Sequence, residues 1–310
     1  MVEVRAQRAS KPTVAAIDCG TNTVKLLIGA LPDVAVREMR MVRLGQGVDA
    51  TGRLADEALE RTFAALDEYA ALIAAHDVGR IRFCATSASR DADNADVFVA
   101  GVRARLGVEP EVVSGDEEAA LAFDGAVRNL RAAPAEPVLV VDIGGGSTEL
   151  VLGTTSGGPD AAVSLDIGSV RLHERHLHSD PPTPDEVDAC VAAIDAHLDR
   201  SPVPLSEAAT VVGVAGTVTT VGAGVLDLPA YDRALVDQAE LSVDDVHGLV
   251  DRLLAMPLAE RLALPWLHPG RADVIGAGVL ILDRVLRRTG VRSLVVSEAD
   301  ILDGIAWSLV

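Results

Sequence analysis

Lysine is almost missing from this chain. Lys11 and Lys25 are the two lysines among 27 basic residues. High Ala and Arg with little Lys is what genomic base composition produces, so the scarcity matters chiefly because it makes the position of Lys25 stand out. Cysteine is scarce too. Cys19, Cys84 and Cys190 are odd in number and widely spaced. That excludes a disulfide framework and a zinc site, and fits a reducing compartment. No apolar run approaches the ~18 residues of a membrane span. The first twelve residues, MVEVRAQRASKP, lack the apolar centre of a signal peptide and read as a frayed end; the expectation is a cytoplasmic protein. Positive charge is in deficit, with a formal net charge of −19. Non-specific grip on nucleic acid or on an anionic membrane is thereby excluded. A small or linear anion is not, because backbone N–H groups, a metal ion and a few arginines can make one cleft locally positive.

What is present is a 310-residue chain, 49% hydrophobic and 24% charged. That is enough for a sizeable core and for one large domain or two ordinary ones. Residues 13–30 and 137–154 read as strand–loop–strand hairpins. Between them, Leu59, Phe63, Leu66, Ala70 and Ile73 fall three or four apart, as on one face of a helix over 54–76. A strand at 81–89, an apolar-periodic segment to Leu106 with Gly107 as its stop, a short strand at 111–113 and a helix from about Glu117 to Leu130 follow. RAAPAEP, 131–137, is the candidate linker. Later come a helix from about Pro184 capped by Thr183, a strand over 210–216, and a helix after Ser242, which with Asp245 resembles a capping box. A helix from about Arg271 to Arg288, the strand SLVVS and a terminal helix complete the chain. Strands alternating with helices make the fold class α/β.

The two hairpins align without a gap. VAAIDCGTNTVKLLIGA (14–30) lies over LVVDIGGGSTELVLGT (139–154), so Asp18 meets Asp142, Gly20 meets Gly144, Thr23 meets Ser147, Lys25 meets Glu149 and Gly29 meets Gly153. We read an internal duplication: a first domain over 1–130 and a second over 131–310, each opening with the same unit. The terminal helix is free to pack back on the first domain.

The loops suggest the chemistry. Gly144, Gly145 and Gly146 pair poorly as a hairpin tip, but without a Cβ their N–H groups can approach phosphate oxygens closely. Thr21, Thr23, Ser147 and Thr148 add hydroxyls, and Gly20 and Asn22 complete the first loop. A strand follows each loop, so neither a Rossmann nor a P-loop turn is present. Two such loops across a cleft would hold a phosphate chain from both sides. Lys25 would grip phosphate; Glu149 at the equivalent place would repel it unless it held a metal. Asp142 and Glu149 are therefore candidate Mg²⁺ ligands, in part through water, with other divalent ions possible. Asp18 could bind metal or orient backbone N–H groups. Gly216 and Thr217, after the strand at 210–216, could bind an anion at a helix N-terminus. In SGDEEA, Ser114 and Glu117 read as a helix cap, which leaves Glu118 as a candidate general base. Arg90, in a hydroxyl-rich loop, suits phosphate contact. HERHLH, with His173, His176 and His178, reads as a solvated helix.

In this order AAIDCGTNTVKLLIG, ATSASRDADN, SGDEEA, VVDIGGGSTELV, LDIGSVRL, VAGTVTT and RADVIGAGVLIL resemble the exopolyphosphatase/guanosine pentaphosphate phosphatase family over about residues 13–308. The resemblance implies two actin-like, ribonuclease-H-type domains flanking a cleft. It implies Mg²⁺-dependent hydrolysis of the terminal phosphoanhydride of inorganic polyphosphate, or of the 5′ end of guanosine pentaphosphate. By position it makes Glu118 the catalytic glutamate, places Asp142, Gly144, Gly145, Ser147 and Glu149 in the phosphate and metal loop, and puts Arg90 on the substrate. Thr23 stands where the family commonly has Ser, and Lys25 where it commonly has Arg. A homodimer is implied on the same ground, and the length suggests the short, two-domain form. So few aromatic residues, eight in all, show no evident guanine clamp, which favours polyphosphate. An actin-like sugar or acetate kinase, and a non-catalytic polyphosphate or nucleotide sensor, are the other readings.

Overall fold

The computed structural model describes residues 12–310, so the frayed-end reading and Lys11 lie outside the described residues. The first sheet is built from β1 (Val14–Cys19), β2 (Thr23–Ala30), β3 (Asp33–Met41), β4 (Arg80–Ala85) and β5 (Glu111–Val112), in the order β3-β2-β1-β4-β5. The second is built from β6 (Val138–Ile143), β7 (Thr148–Thr154), β8 (Gly158–Leu165), β9 (Thr210–Val214), β10 (Glu240–Ser242) and β11 (Ser293–Val296), in the order β10-β11-β9-β6-β7-β8. Apart from the added edge strand β10, the two orders are the same. In both, the second strand runs antiparallel to the first and third, and the first pairs in parallel with the fourth. This is the ribonuclease-H-type arrangement, present twice in an α/β fold.

The duplication is visible residue by residue. Asp18 pairs across β1–β2 with Lys25, and Asp142 pairs across β6–β7 with Glu149. The ladder slips between Ile28 and Gly29 in one copy and between Leu152 and Gly153 in the other. A Cβ at Gly29 would lie 2.3 Å from the Asp33 carbonyl oxygen, and one at Gly153 would lie 2.2 Å from that of Gly158. The bulge, not the loop, is what requires these two glycines.

Why the opening strands are apolar throughout follows from the layering. Ala15, Ile17 and Cys19 of β1 face a core closed by the helices Asp56–Ala74 and Ala95–Leu106, while Ala16 faces the opposite way. In β6, Leu139, Val141 and Ile143 face an outer core that includes the helices Pro184–Leu198 and Ile275–Leu286, and Val138 and Val140 face inward. Strands buried on both faces cannot alternate in polarity. Between the sheets lie two helices. Gly115–Arg128 lays Ala119, Phe123 and Ala126 on the second sheet, although it follows the first in sequence. Ile301–Trp307 returns to the first sheet with Ile301, Leu302, Ile305 and Ala306. The helices touch backbone to backbone: a Cβ at Gly125 would meet Asp300 O at 2.0 Å, and one at Gly304 would meet Leu121 O at 2.0 Å.

Four sequence expectations shift. The strand expected over 210–216 ends at Val214, because Ala215 and Gly216 open the helix Ala215–Val225, with Ala215 at φ 65°. The strand expected over 81–89 ends at Ala85, and Ser87–Arg90 is a helical turn. The helix expected from Arg271 begins at Ile275, after a tight turn over Pro269–Arg271. The helix expected from Glu117 starts at Gly115, capped by Ser114, whose hydroxyl accepts from Glu117 N at 3.2 Å; the Glu117 carboxylate turns instead to Arg82. Among the described residues no helix is long and apolar enough to cross a membrane.

Candidate functional site

Asp18 and Asp142 end the inward-facing rows of β1 and β6. The middle helices present their N-termini at the same place, with Glu118 in the first turn of one and Asp300 as the cap of the other. Acids, loops and helix ends therefore converge by topology, at the carboxyl ends of the strands where open α/β sheets place ligands. Asp18, Gly20, Thr21, Asn22, Thr23, Lys25, Glu118, Asp142, Gly144, Gly145, Ser147, Glu149, Gly216 and Thr217 line one cavity of ≈ 80 Å³. That is room for a phosphoryl group or a few waters. The loops face each other closely: a Cβ at Gly145 would lie 2.9 Å from Thr21 Cβ, and one at Gly146 would lie 2.6 Å from Thr21 Oγ1.

The loop backbones divide their work. Gly20 N donates to Thr23 O at 2.9 Å and Gly144 N to Ser147 O at 3.0 Å, so these two N–H groups close the hairpins and are not offered to an anion. The N–H groups of Thr21, Asn22, Gly145 and Gly146 have no partner among the described residues. Their carbonyls, by contrast, are occupied. Gly45 N donates to Thr21 O, and Val42 N and Arg43 N to Asn22 O; Ser169 N donates to Gly144 O, and Val170 N and Arg171 N to Gly145 O. Tethering the carbonyls on the outside leaves the amide hydrogens on the inside, the geometry of an anion nest.

Three expected site residues stand apart from the cavity wall. Thr148 is fully buried and its Oγ1 donates to Ile167 O at 2.6 Å, so its hydroxyl ties β7 to the segment after β8 and is not a phosphate donor. Gly146 is needed for the close approach of the loops: a Cβ there would lie 2.5 Å from Ser87 Oγ. Arg90 is set back from the cavity wall, beside Glu118. Its Nη1 donates to Glu118 Oε2 at 2.7 Å and to Val113 O at 2.8 Å, because a carboxylate that is 7% exposed needs a cationic partner. The histidine segment is also less solvated than expected: His173 is half-buried and burial lowers its pKa.

Lys25 is likewise engaged. Its Nζ lies 2.7 Å from Asp300 and 3.1 Å from Asp18. Burial alone would depress the ammonium, but Asp300, Asp18 and Asp142 outweigh it and hold it above its ordinary value. Asp300 is held below its ordinary value, burial being outweighed by Lys25 and Arg37. Asp18 is raised by burial despite Lys25. Burial, with Asp300, Glu118 and Asp18 nearby, pushes Asp142 up to about 8 against the opposing effect of Lys25. Glu149 is raised well above its ordinary value by burial and by Glu118 and Asp142, and it accepts from Ser164 Oγ at 2.7 Å. Burial also raises Glu118 against Arg90.

So many buried carboxylates in one cavity, two of them directly opposed across β6–β7, are a charge deficit that a cation would relieve. Among the described residues no three His, Cys, Asp or Glu side chains form a ligand set of their own. Asp142 and Glu149 could serve a hard ion, which takes one or two carboxylates and completes its shell with water and phosphate oxygens.

Sequence reasoning missed Thr86, Ser87, Ser169, Asp300 and Arg271. Thr86 and Ser87 follow β4 as Ala215 and Gly216 follow β9, so this part of the wall is duplicated too. Thr21 Oγ1 and Ser87 Oγ lie 2.9 Å apart. Arg271 has no carboxylate within ion-pair reach among the described residues, and burial lowers its pKa. Its guanidinium packs on Gly216, where a Cβ would lie 2.5 Å from Cζ. It lines both this cavity and an adjoining chamber of ≈ 480 Å³ walled by Trp266, Tyr231, Arg233, His268 and Arg37. A half-buried arginine without an acid is poised for an anion.

A model described as the Ppx/GppA phosphatase family matches residues 24–310. A protein named exopolyphosphatase 2 from Mycobacterium tuberculosis is 49% identical, the match covering 96% of this chain and 98% of that one. A crystal structure of an exopolyphosphatase-like protein superposes with a TM-score of 0.93 at 45% identity, over 96% of this chain and 98% of the other. The Aquifex aeolicus PPX-GPPA enzyme superposes with a TM-score of 0.81 at 32% identity, over 96% and 99%.

Proposed function

The chain belongs to the Ppx/GppA phosphatase family, and from that premise we propose that it is an exopolyphosphatase, removing the terminal phosphoryl group of inorganic polyphosphate by attack of water. The observation that carries this reading is that Glu118 and the two loops face a single cavity sized for one phosphoryl group. The N–H groups of Thr21, Asn22 and Gly145 hold the terminal oxygens, and Arg271 grips the next phosphate inward. Glu118, oriented by Arg90 and Thr86, positions a water in line with the terminal phosphorus and takes its proton as the P–O bond forms; the shortened chain departs with the bridging oxygen. Phosphoryl transfer asks mainly for positioning and charge stabilisation, so a carboxylate base suffices. Asp142 and Glu149 would hold Mg²⁺ or another divalent ion, which when bound would neutralise charge on the phosphoryl oxygens. Lys25 is spent on Asp18 and Asp300, and acts by keeping those acids from repelling the substrate.

The test is phosphate release from short and long polyphosphate with and without Mg²⁺. Glu118→Gln should lower turnover by about 10²–10⁴-fold while KM holds within a few-fold; near-wild-type turnover would remove Glu118 from the mechanism. A second reading, the 5′-phosphohydrolysis of guanosine pentaphosphate, is favoured by the adjoining chamber. It offers two aromatic walls and ≈ 480 Å³ beside the phosphate site, where sequence had shown no clamp. Side-by-side kcat/KM values separate the two.

A further inference from the structure

The second loop has a side-chain tether on one of its carbonyls that, among the described residues, the first loop does not share. In each copy the segment after the third strand caps the loop carbonyls with backbone N–H groups: residues 42–45 in one, 169–171 in the other. Gly168 permits this in the second copy, since a Cβ there would lie 2.4 Å from the Gly145 carbonyl. The remaining carbonyl, that of Gly146, accepts from Arg171 Nε at 2.8 Å. The same guanidinium then crosses to the first half of the chain. Nη1 donates to Asp49 at 2.6 Å and Nη2 to Asp91 at 2.5 Å. Asp91 directly follows Arg90, which holds Glu118. Asp49 lies in the helical turn Val48–Thr51, just beyond Gly45, whose N–H holds Thr21 O. Arg175 binds the same Asp49, and Glu174 accepts from Gly47 N. All three guanidinium nitrogens are used, the side chain is 12% exposed, and none of it lines the cavity.

We infer that Arg171 is a positioning residue that sets the Gly144–Ser147 loop in register with the Arg90–Glu118 pair across the cleft. This rests on the phosphohydrolase reading above. An isolated ion pair would stabilise without specificity. A planar fork joining a loop carbonyl to two acids of the other half fixes a distance between donor loop and base, and misplacing such groups by about 1 Å can cost on the order of 10²-fold in rate. A lysine carries all its donors on one nitrogen and cannot reach the three acceptors that separate guanidinium nitrogens meet here.

The test uses the full chain. Arg171→Lys and Arg171→Ala should each lower kcat on polyphosphate by about 10–100-fold with KM changed less than threefold. Guanidinium ion at low, non-denaturing concentration should recover part of the Ala variant's kcat, and sodium at equal ionic strength should not. Independently of any substrate, hydrogen–deuterium exchange over residues 143–149 should rise in both variants, while exchange in β9 stays as in the wild type. Unchanged kcat, or unchanged exchange in the loop, overturns the inference, as does a loss confined to KM. If Arg171→Ala does not fold, Asp91→Ala removes one arm of the fork and should show the same kcat loss at smaller size. Failure of the wild type to release phosphate from polyphosphate would sink the functional reading alone, and the exchange measurement would still decide the role of Arg171.

Discussion

Adding one methyl group where the two middle helices cross should be costly. At Gly304 a Cβ would sit 2.0 Å from Leu121 O, 2.8 Å from Leu121 C and 3.1 Å from Leu121 Cα. Every one of these atoms is backbone, so no side chain can rotate out of the way. The helix Ile301–Trp307 must move by more than an ångström from Gly115–Arg128, and both are pinned to sheets on their far sides. Overpacking in a rigid core costs typically ~1–3 kcal/mol, and a backbone-against-backbone clash belongs at the top of that range. For Gly304→Ala we expect about 3 kcal/mol, a fall in Tm of roughly 6–12 °C for a chain of this size. Phosphate release should fall as well, because the displaced helices carry Glu118 and Asp300. Gly248→Ala is the control: it lies within the helix Val243–Ala255, where a Cβ meets nothing within 4 Å, and replacing a helical glycine should stabilise by roughly 0.5–1 kcal/mol. Urea midpoints of both variants and the wild type make the comparison. If Gly304→Ala unfolds at the wild-type midpoint, the close crossing is not a constraint and the reasoning fails.

Thr148→Val should cost about 1–3 kcal/mol in urea denaturation, by leaving the Ile167 carbonyl without its donor, while kcat and KM stay near wild type; a selective rise in KM would return Thr148 to the phosphate site. Lys25→Met strips the cation from Asp18 and Asp300 and should destabilise by about 3–5 kcal/mol at neutral pH, with part recovered on mild acidification as the unpaired carboxylates protonate; a pH-independent loss would contradict this. Asp49 is held below its ordinary 3.8 by the hydrogen bond from Arg175, and by the charges of Arg175 and Arg171, against burial. Its contribution is therefore complete above that ordinary value and is lost as pH falls below it toward the lower folded value. Asp49→Asn should flatten that acid limb of the stability curve, and an unaltered limb would show that the clasp contributes nothing.

The duplication was legible because it rests on backbone needs that leave marks in the sequence: the acid before each loop, the loop itself, and the glycine at the bulge, with equal spacing in both copies. Glu118 was legible as the acid that the helix cap left unexplained. The third strands were not. In β8 the opening Gly158-Pro159-Asp160 reads as a turn, and β3 has no fully buried residue and mixes charges with its apolar residues. Asp300 comes from a segment with no local signal, and Ser87 and Arg271 lie in motifs whose own roles were not read; all three are brought to one place because the fold carries strand and helix ends there. Thr148 was assigned to the substrate because sequence shows which donors are near a loop but not which acceptors claim them first.

The exchange of helices between the sheets constrains the order in which the molecule can be completed. While a ribosome is still adding residues beyond β5, Ala16, Leu27 and Cys84 have one face of their sheet unroofed, and the segment that closes it, around Ile305, is far from being synthesised. At ~5–20 residues per second that interval is roughly ten to forty seconds, during which the nascent first half offers an apolar surface to its surroundings. A protein built this way cannot finish one half before the other, and cleaving the chain before residue 301 would expose both.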